Sequence, residues 1–175
     1  RFPLRNGGGR YKGNLHAHTT NSDGKLSPEA ICDKYAENGY AFLAITDHRR
    51  YTNTDKFDCP GFITLPGTEL DIWCGSFDSV NAPATRQYTY HLNGILRDYS
   101  GKCDPLPDGF LWTRPTWDES WLQKPLRARV QEVIDFLHAH GNLVMINHPN
   151  WSVNFETDVY GFENVFAMEL YNNVC

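Results

Sequence analysis

Apolar residues recur at two spacings along this chain, and the switches between them predict its elements. Residues 13–19 read as a strand, and a helix follows them. Ser27 suits its N-cap, Pro28 its first position and Glu29 its first turn, with Ile31, Tyr35 and Ala36 as the buried stripe and Gly39 as the stop. Residues 42–46 and 62–65 are short apolar runs of strand type, and residues 88–96 alternate as a further strand. Leu126, Val130, Val133, Ile134 and Leu137 return to helical spacing and end at Gly141. Residues 143–146 and 165–170 give two more strands.

Residues 97–125 carry four prolines and three of the five tryptophans, which is too long and too aromatic for a simple connector. We read this stretch as a loop or lid insertion, able to stack on a base or aryl group or to cover the site, within one domain spanning 1–175. Strands and helices alternate, and polar residues gather at the strands' C-terminal ends. That layout predicts an α/β fold, a β/α barrel or an open sheet, with its site at that end. The barrel is favoured because so many successive strands deliver polar groups, although six strands do not close one.

Composition narrows the classes. A net charge of −5 gives no support for a basic groove, so nucleic acid is permitted but not indicated. Five cysteines, with no Cys-x-x-Cys pair, argue against a disulfide framework or a zinc knuckle and for reduced thiols in a cytoplasmic protein. No run approaches the ~20 apolar residues of a membrane span, and none resembles a signal peptide. The chain has no initiator Met, which leads us to expect a piece of something longer.

The candidate chemistry lies in HAHTTNSDG, AITDH, PGTEL and INHP. On a strand, His16 and His18 project from one face while Ala17 points away, the start of a chelate. Neutral imidazole suits borderline metals. Taken alone, the pair could equally be hydrogen-bonded core histidines. Asp23 follows at a turn and His48 at a strand end, where Asp47 is expected to steady the neighbouring imidazole. Glu69 is the natural bridging carboxylate, since two oxygens can hold two cations ~3.5–4 Å apart. The bland alternative is a solvated glutamate after a Pro-Gly turn. His91 sits on an alternating strand, and His148 ends an apolar one, where a buried polar group demands a partner. His138 and His140 are read as helix-capping residues outside the site, and Arg49 and Arg50 as candidate phosphate contacts.

These segments, in this order, resemble the polymerase-and-histidinol-phosphatase (PHP) family, and most of all its stand-alone metal-dependent phosphoesterases. The resemblance runs from Gly13 to about Tyr171. It implies a distorted (β/α)7 barrel holding two or three divalent metal ions (Mn, Zn or Fe). By position, His16, His18 and Glu69 would bind the first, Glu69, His91 and His148 the second, and Asp23 with His48 the third. No catalytic residue separate from these ligands is implied. The family's closing Asp-x-His has no counterpart before Cys175, so we expect the chain to stop short of the last strand.

The implied activity is hydrolysis of a phosphate mono- or diester by metal-activated water, on a phosphorylated small molecule or nucleotide. Two alternatives stand beside it. One is a PHP-like metallohydrolase of a carbamate, amide or ester. The other is a degenerate, non-catalytic PHP domain, which the absent Asp-x-His would favour. A true amidohydrolase is disfavoured, because Glu69 stands where a metal-bridging strand lysine would be sought.

Overall fold

The computed structural model describes residues 9–74, 88–97, 103–113 and 119–172. Six strands form one curled sheet in chain order: β1 (Gly13–Asn14), β2 (Phe42–Ile45), β3 (Ile63–Cys74), β4 (Tyr88–Leu96), β5 (Asn142–Ile146) and β6 (Val165–Met168). Helix α1 (Pro28–Glu37) joins β1 to β2. Between β4 and β5 come α2 (Glu119–Gln123) and α3 (Leu126–Ala139), and α4 (Glu156–Val159) precedes β6.

The sheet is mixed. Strands β1, β2 and β3 are parallel, as are β5 and β6, but β4 runs antiparallel to both its neighbours. The α/β class and a half-barrel curl are present, whereas a simple parallel alternation is not. Hydrophobic alternation reports which face a side chain takes and says nothing of strand direction. The antiparallel strand was therefore invisible in the pattern.

Local chemistry explains the main elements. In α1, the Ser27 hydroxyl accepts the Ala30 N–H at 3.2 Å, as an N-cap should. Its Ile31, Cys32 and Tyr35 pack on Ala17, Leu43 and Ile45. Strand β3 is longer than its apolar run, because Pro66 and Gly67 lie inside it and do not form a turn. Gly67 is required by close approach, since a Cβ there would meet the Gly94 carbonyl oxygen at 2.8 Å.

The consequence is a division of faces. Leu70 and Ile72 of β3, with Tyr90 and Leu92 of β4, join Val144 and Ile146 under Val130, Val133, Ile134 and Leu137 of α3. Each such buried aliphatic stabilises by about 1.5–3 kcal/mol. The opposite face of the β3–β4 pair carries Glu69 across from Asn93, and Asp71 across from His91. That polar face looks into the curl of the sheet, and it builds the site.

Of the insertion expected at 97–125, residues 103–113 are irregular and lie against the loop after β2, whereas Glu119–Gln123 form α2. Leu106 is buried, and Phe110 and Trp112 pack on the α3 core. The Tyr51 N–H donates to the Phe110 carbonyl at 2.9 Å, and the Trp112 N–H to that of Arg49 at 2.7 Å. Residues 98–102 and 114–118 of the expected lid lie outside the described residues.

Candidate metal centre

All seven residues singled out from the sequence line one pocket of about 420 Å³. Each is placed by a distinct local device. The chain bends at Leu15 after β1, and beyond it the Thr46 hydroxyl takes the Ala17 N–H at 3.1 Å while the Ala17 carbonyl accepts the Thr46 N–H at 2.8 Å. The ladder is thereby broken, yet the two-residue alternation persists, so His16 and His18 share a face. Beyond β2, the Glu69 N–H donates to the Asp47 carbonyl at 3.0 Å and the Arg49 N–H to the Glu69 carbonyl at 2.7 Å, which sets His48 beside Glu69. The Asp23 turn closes with the Gly24 N–H on the Thr19 carbonyl at 2.8 Å. A side chain at Gly24 would strike the His18 carbonyl oxygen at 2.2 Å.

Glu69 is the centre. It is wholly buried, and its two oxygens face two different trios of side chains. Oε1 lies 3.0 Å from His91 Nδ1, 3.2 Å from His148 Nε2 and 2.8 Å from the donating Asn147 Nδ2. Oε2 lies 3.1 Å from His48 Nδ1, 3.2 Å from His18 Nε2 and 3.5 Å from His16 Nε2. Asp23, largely exposed, stands 3.7 Å from His18 Nδ1 and 3.6 Å from His48 Nε2. Among the described residues, four sets of three side chains have donor atoms close enough to share an ion: His16, His18 and Glu69; His18, Asp23 and His48; His48, Glu69 and His91; His16, His148 and Glu169.

The donor set fits divalent cations on two grounds. First, Glu69 Oε2, His18 Nδ1 and His91 Nε2 are buried without a hydrogen-bond partner, although nitrogens crowd the oxygen. Buried polar atoms are rarely left so, and a cation between nitrogen and oxygen would satisfy several at once. Second, His16 Nε2 and His18 Nε2 are 3.0 Å apart, where two lone pairs repel unless a proton or a metal lies between. Burial pushes the Glu69 carboxyl up, but the close approach of the His148, His16, His18 and His91 ring nitrogens outweighs this and holds it well below the usual carboxylate range. Burial also works against charge on His16, yet its contacts with Glu169 and Glu69 raise it to about 9. Burial lowers His48, with the attraction of Glu69 opposing it.

Three contributors escaped the sequence reading. Glu169, just past β6, approaches His16 Nδ1 at 3.4 Å and accepts the His148 backbone N–H at 2.9 Å. It thus grips the ring nitrogen of His16 that points away from Glu69, the place where a carboxylate orients a ligating histidine. Asn147 joins Glu69 to Asn93, donating to the Asn93 Oδ1 at 2.8 Å. Trp151 lines the pocket against His91 and His148.

Other expectations change. Asp47 does not touch the His48 ring. It is buried and accepts the Thr19 N–H at 2.6 Å and the Thr19 and Ser22 hydroxyls at 2.8 Å each, fixing the loop that carries Asp23. Arg49 is turned to Asp71 through Nε and through Nη2, the latter at 3.0 Å, and does not line the pocket. His140 caps α3, with its Nδ1 2.8 Å from the Phe136 carbonyl.

No family model matches the chain. In sequence it is 44% identical over 103 residues to the DNA polymerase/3′-5′ exonuclease PolX of Bacillus subtilis (strain 168). That match covers 59% of this chain, and the chain spans only 15% of the relative's length. In structure it is similar to a candidate metal-dependent phosphoesterase of Bifidobacterium adolescentis, at TM-score 0.56 and 14% identity over 91% of this chain and 77% of that one. An amidohydrolase of Chromobacterium violaceum, solved with sulfate and no metal, gives TM-score 0.55 and 14% identity over 90% of this chain and 75% of that one. No helix among the described residues is long and apolar enough to cross a membrane. The chain thus shares its fold with these two solved structures, and the motifs that resemble the PHP family lie together within that fold.

Proposed function

We propose that this chain is a metal-dependent phosphoesterase domain that hydrolyses a phosphate mono- or diester. Its metal ligands in this reading are His16, His18, Asp23, His48, Glu69, His91 and His148, and its six strands belong to a distorted (β/α)7 barrel. One observation carries the proposal: a wholly buried carboxylate, Glu69, is ringed by five histidine rings within 3.5 Å while one of its oxygens lacks any hydrogen-bond partner. Two or three divalent ions (Mn, Zn or Fe) held there would acidify water for attack and screen the phosphoryl oxygens.

The residues themselves have separable tasks. Glu69 stays ionised and offers one oxygen to each half of the pocket. His91 and His148 face the inner half, and His16, His18 and His48 the outer one. Asp23 stands exposed at the mouth, beside His18 and His48. Glu169 and Asn147 orient His16 and Glu69 respectively. The substrate in this reading is a phosphorylated small molecule or nucleotide. The free thiols of Cys32 and Cys59 support a cytoplasmic setting.

The amidohydrolase likeness keeps a second reading in view, hydrolysis of a carbamate, amide or ester by the same site. The test is turnover by protein stripped of metal and reloaded with Mn, Zn or Fe. Nitrophenyl phosphate, bis-nitrophenyl phosphate and nitrophenyl acetate are assayed in parallel. Metal-dependent release from a phosphoester is the expected result. Release from the acetate alone favours the second reading. A chain that takes up no metal is a degenerate domain, and the proposal falls.

A further inference from the structure

The pocket holds more than a phosphoryl group needs. Its 420 Å³ or so lies in the range of sites that enclose a whole small molecule. One wall is polar, the Glu69 cluster. The rest of the lining includes Ile31 and Tyr35 of α1 and Trp151. Two tryptophans that the insertion offered, Trp112 and Trp121, pack against the α3 core instead. Among the described tryptophan side chains, Trp151 alone lines this pocket.

Trp151 is 49% exposed, yet it stands on a firmly held turn. The Ser152 N–H donates to the His148 carbonyl at 3.0 Å, and Thr89 of β4 donates to the Ser152 carbonyl at 3.2 Å. Asn154 ties the turn again, its N–H on the Pro149 carbonyl at 2.8 Å and its Nδ2 on the Thr89 carbonyl at 3.0 Å. Val153 sits at φ +57°, a left-handed conformation that a β-branched residue resists. A turn so constrained would let a core tryptophan fold inward, but this one stays at the mouth. Its ring meets His91 at 5.2 Å and 79° and His148 at 5.1 Å and 83°, edge to face. Half of the indole is left free within reach of the cluster.

We infer that Trp151 forms an aromatic subsite of the pocket. It takes a planar ring, an aryl group or a nucleobase, carried on the phosphoryl group whose oxygens meet the metals. This inference rests on the phosphoesterase reading and adds the organic part of the substrate to it. Rings stack on indole whatever their substituents, so the subsite selects flat, unsaturated groups over alkyl ones.

The test is calorimetric binding to Mn-loaded protein, wild type against Trp151→Ala and Trp151→Phe. The ligands are phenylphosphonate and methylphosphonate, with the phosphonate analogues of adenosine and ribose 5-phosphates as a second pair. The expected result is that wild type prefers the ringed member of a pair, that Trp151→Ala loses this preference about tenfold or more, and that Trp151→Phe restores most of it. The methyl and ribose arms should be unchanged, which reports an intact cluster in the variants. Loss confined to one pair tells aryl from nucleobase. Equal losses for ringed and ringless ligands, or no loss, overturn the subsite while leaving the phosphoesterase reading standing. Failure of every ligand to bind wild type instead removes that reading and the subsite with it.

Discussion

The two halves of the pocket share one carboxylate but are built on opposite terms. Around Glu69 Oε1 the inner half is closed: His91 and His148 are buried, and Asn147 completes the oxygen's partners. Around Oε2 the outer half is open and unsatisfied, with His18 and His48 part-exposed and the oxygen itself unpartnered. Hydrogen bonds satisfy Oε1 in a metal-free protein, although His91 Nε2 in the same half is left without a partner. The outer half has crowding without bonding, and its geometry makes sense with cations in it. A fold can therefore preform one part of such a site as ordinary core and leave the other to be completed by its ligand.

The largest effect that tests this contrast is at the shared residue. Glu69→Gln should abolish metal uptake in both halves and lower phosphoester turnover by at least about 10²-fold. Metal content of the purified variant checks it, and retention of one metal would show that the halves are independent. Next come variants that tell the halves apart. His91→Ala leaves Oε1 and its neighbours short of a buried partner and should cost metal-free stability about 1–3 kcal/mol. His18→Ala removes a residue that makes no aligned bond to Glu69, so chelator-treated protein should unfold at nearly the wild-type denaturant midpoint. Both should bind metal more weakly. Equal stability losses would erase the distinction between a preformed and an unfinished half.

Glu169 gives a smaller and more selective effect. It touches His16 on the nitrogen opposite the cluster and anchors the His148 N–H. Glu169→Gln keeps the shape and the acceptor for that N–H but loses the charge behind His16. Metal affinity should fall by roughly 10–100-fold with folding unaltered, as read by competition with a chromophoric chelator. Unchanged affinity would reduce Glu169 to a staple between the ends of β1 and β5.

Most strands and both long helices could be read from periodicity, and the seven candidate ligands that share the pocket from motif order, because each signal is local. Ser27, Pro28 and the stripe of α3 act within a turn or two of themselves. What escaped depends on pairing across the sheet. Glu69 is singled out by its motif as a bridging carboxylate, but the Pro-Gly before it reads as a turn, whereas β3 carries it through to face Asn93. Asn147 shares with His148 the position at the end of an apolar strand, so the argument that a buried polar group needs a partner would have found it. Glu169 had the same signal after residues 165–168, weakened by an alternating, half-exposed strand. Trp151 and the Arg49–Asp71 pair had no local signal, since each takes its meaning from a residue brought near by folding.

The finest test of the contrast uses pH and leaves the sequence intact. In the metal-free protein, His16 sits between Glu69 and Glu169 with its pKa raised from 6.5 to about 9. The folded state then binds a proton there that the unfolded chain has released, so this stabilisation is complete below about 6.5 and is lost as pH rises through about 9. Between pH 7 and 8 the lowering of His48 by burial gives a small slope of the opposite sign, and the proton on His16 is worth at most about 1.4 kcal/mol per pH unit. For a domain of this size that is a fall of at most roughly 3–6 °C in Tm. With metal bound, His16 must be neutral to ligate, so the folded state no longer holds the extra proton and the slope should vanish or reverse. Thermal melts at the two pH values, with chelator and with Mn, measure both slopes. Identical slopes would mean that His16 keeps its proton when metal is present, and would remove it from the outer half.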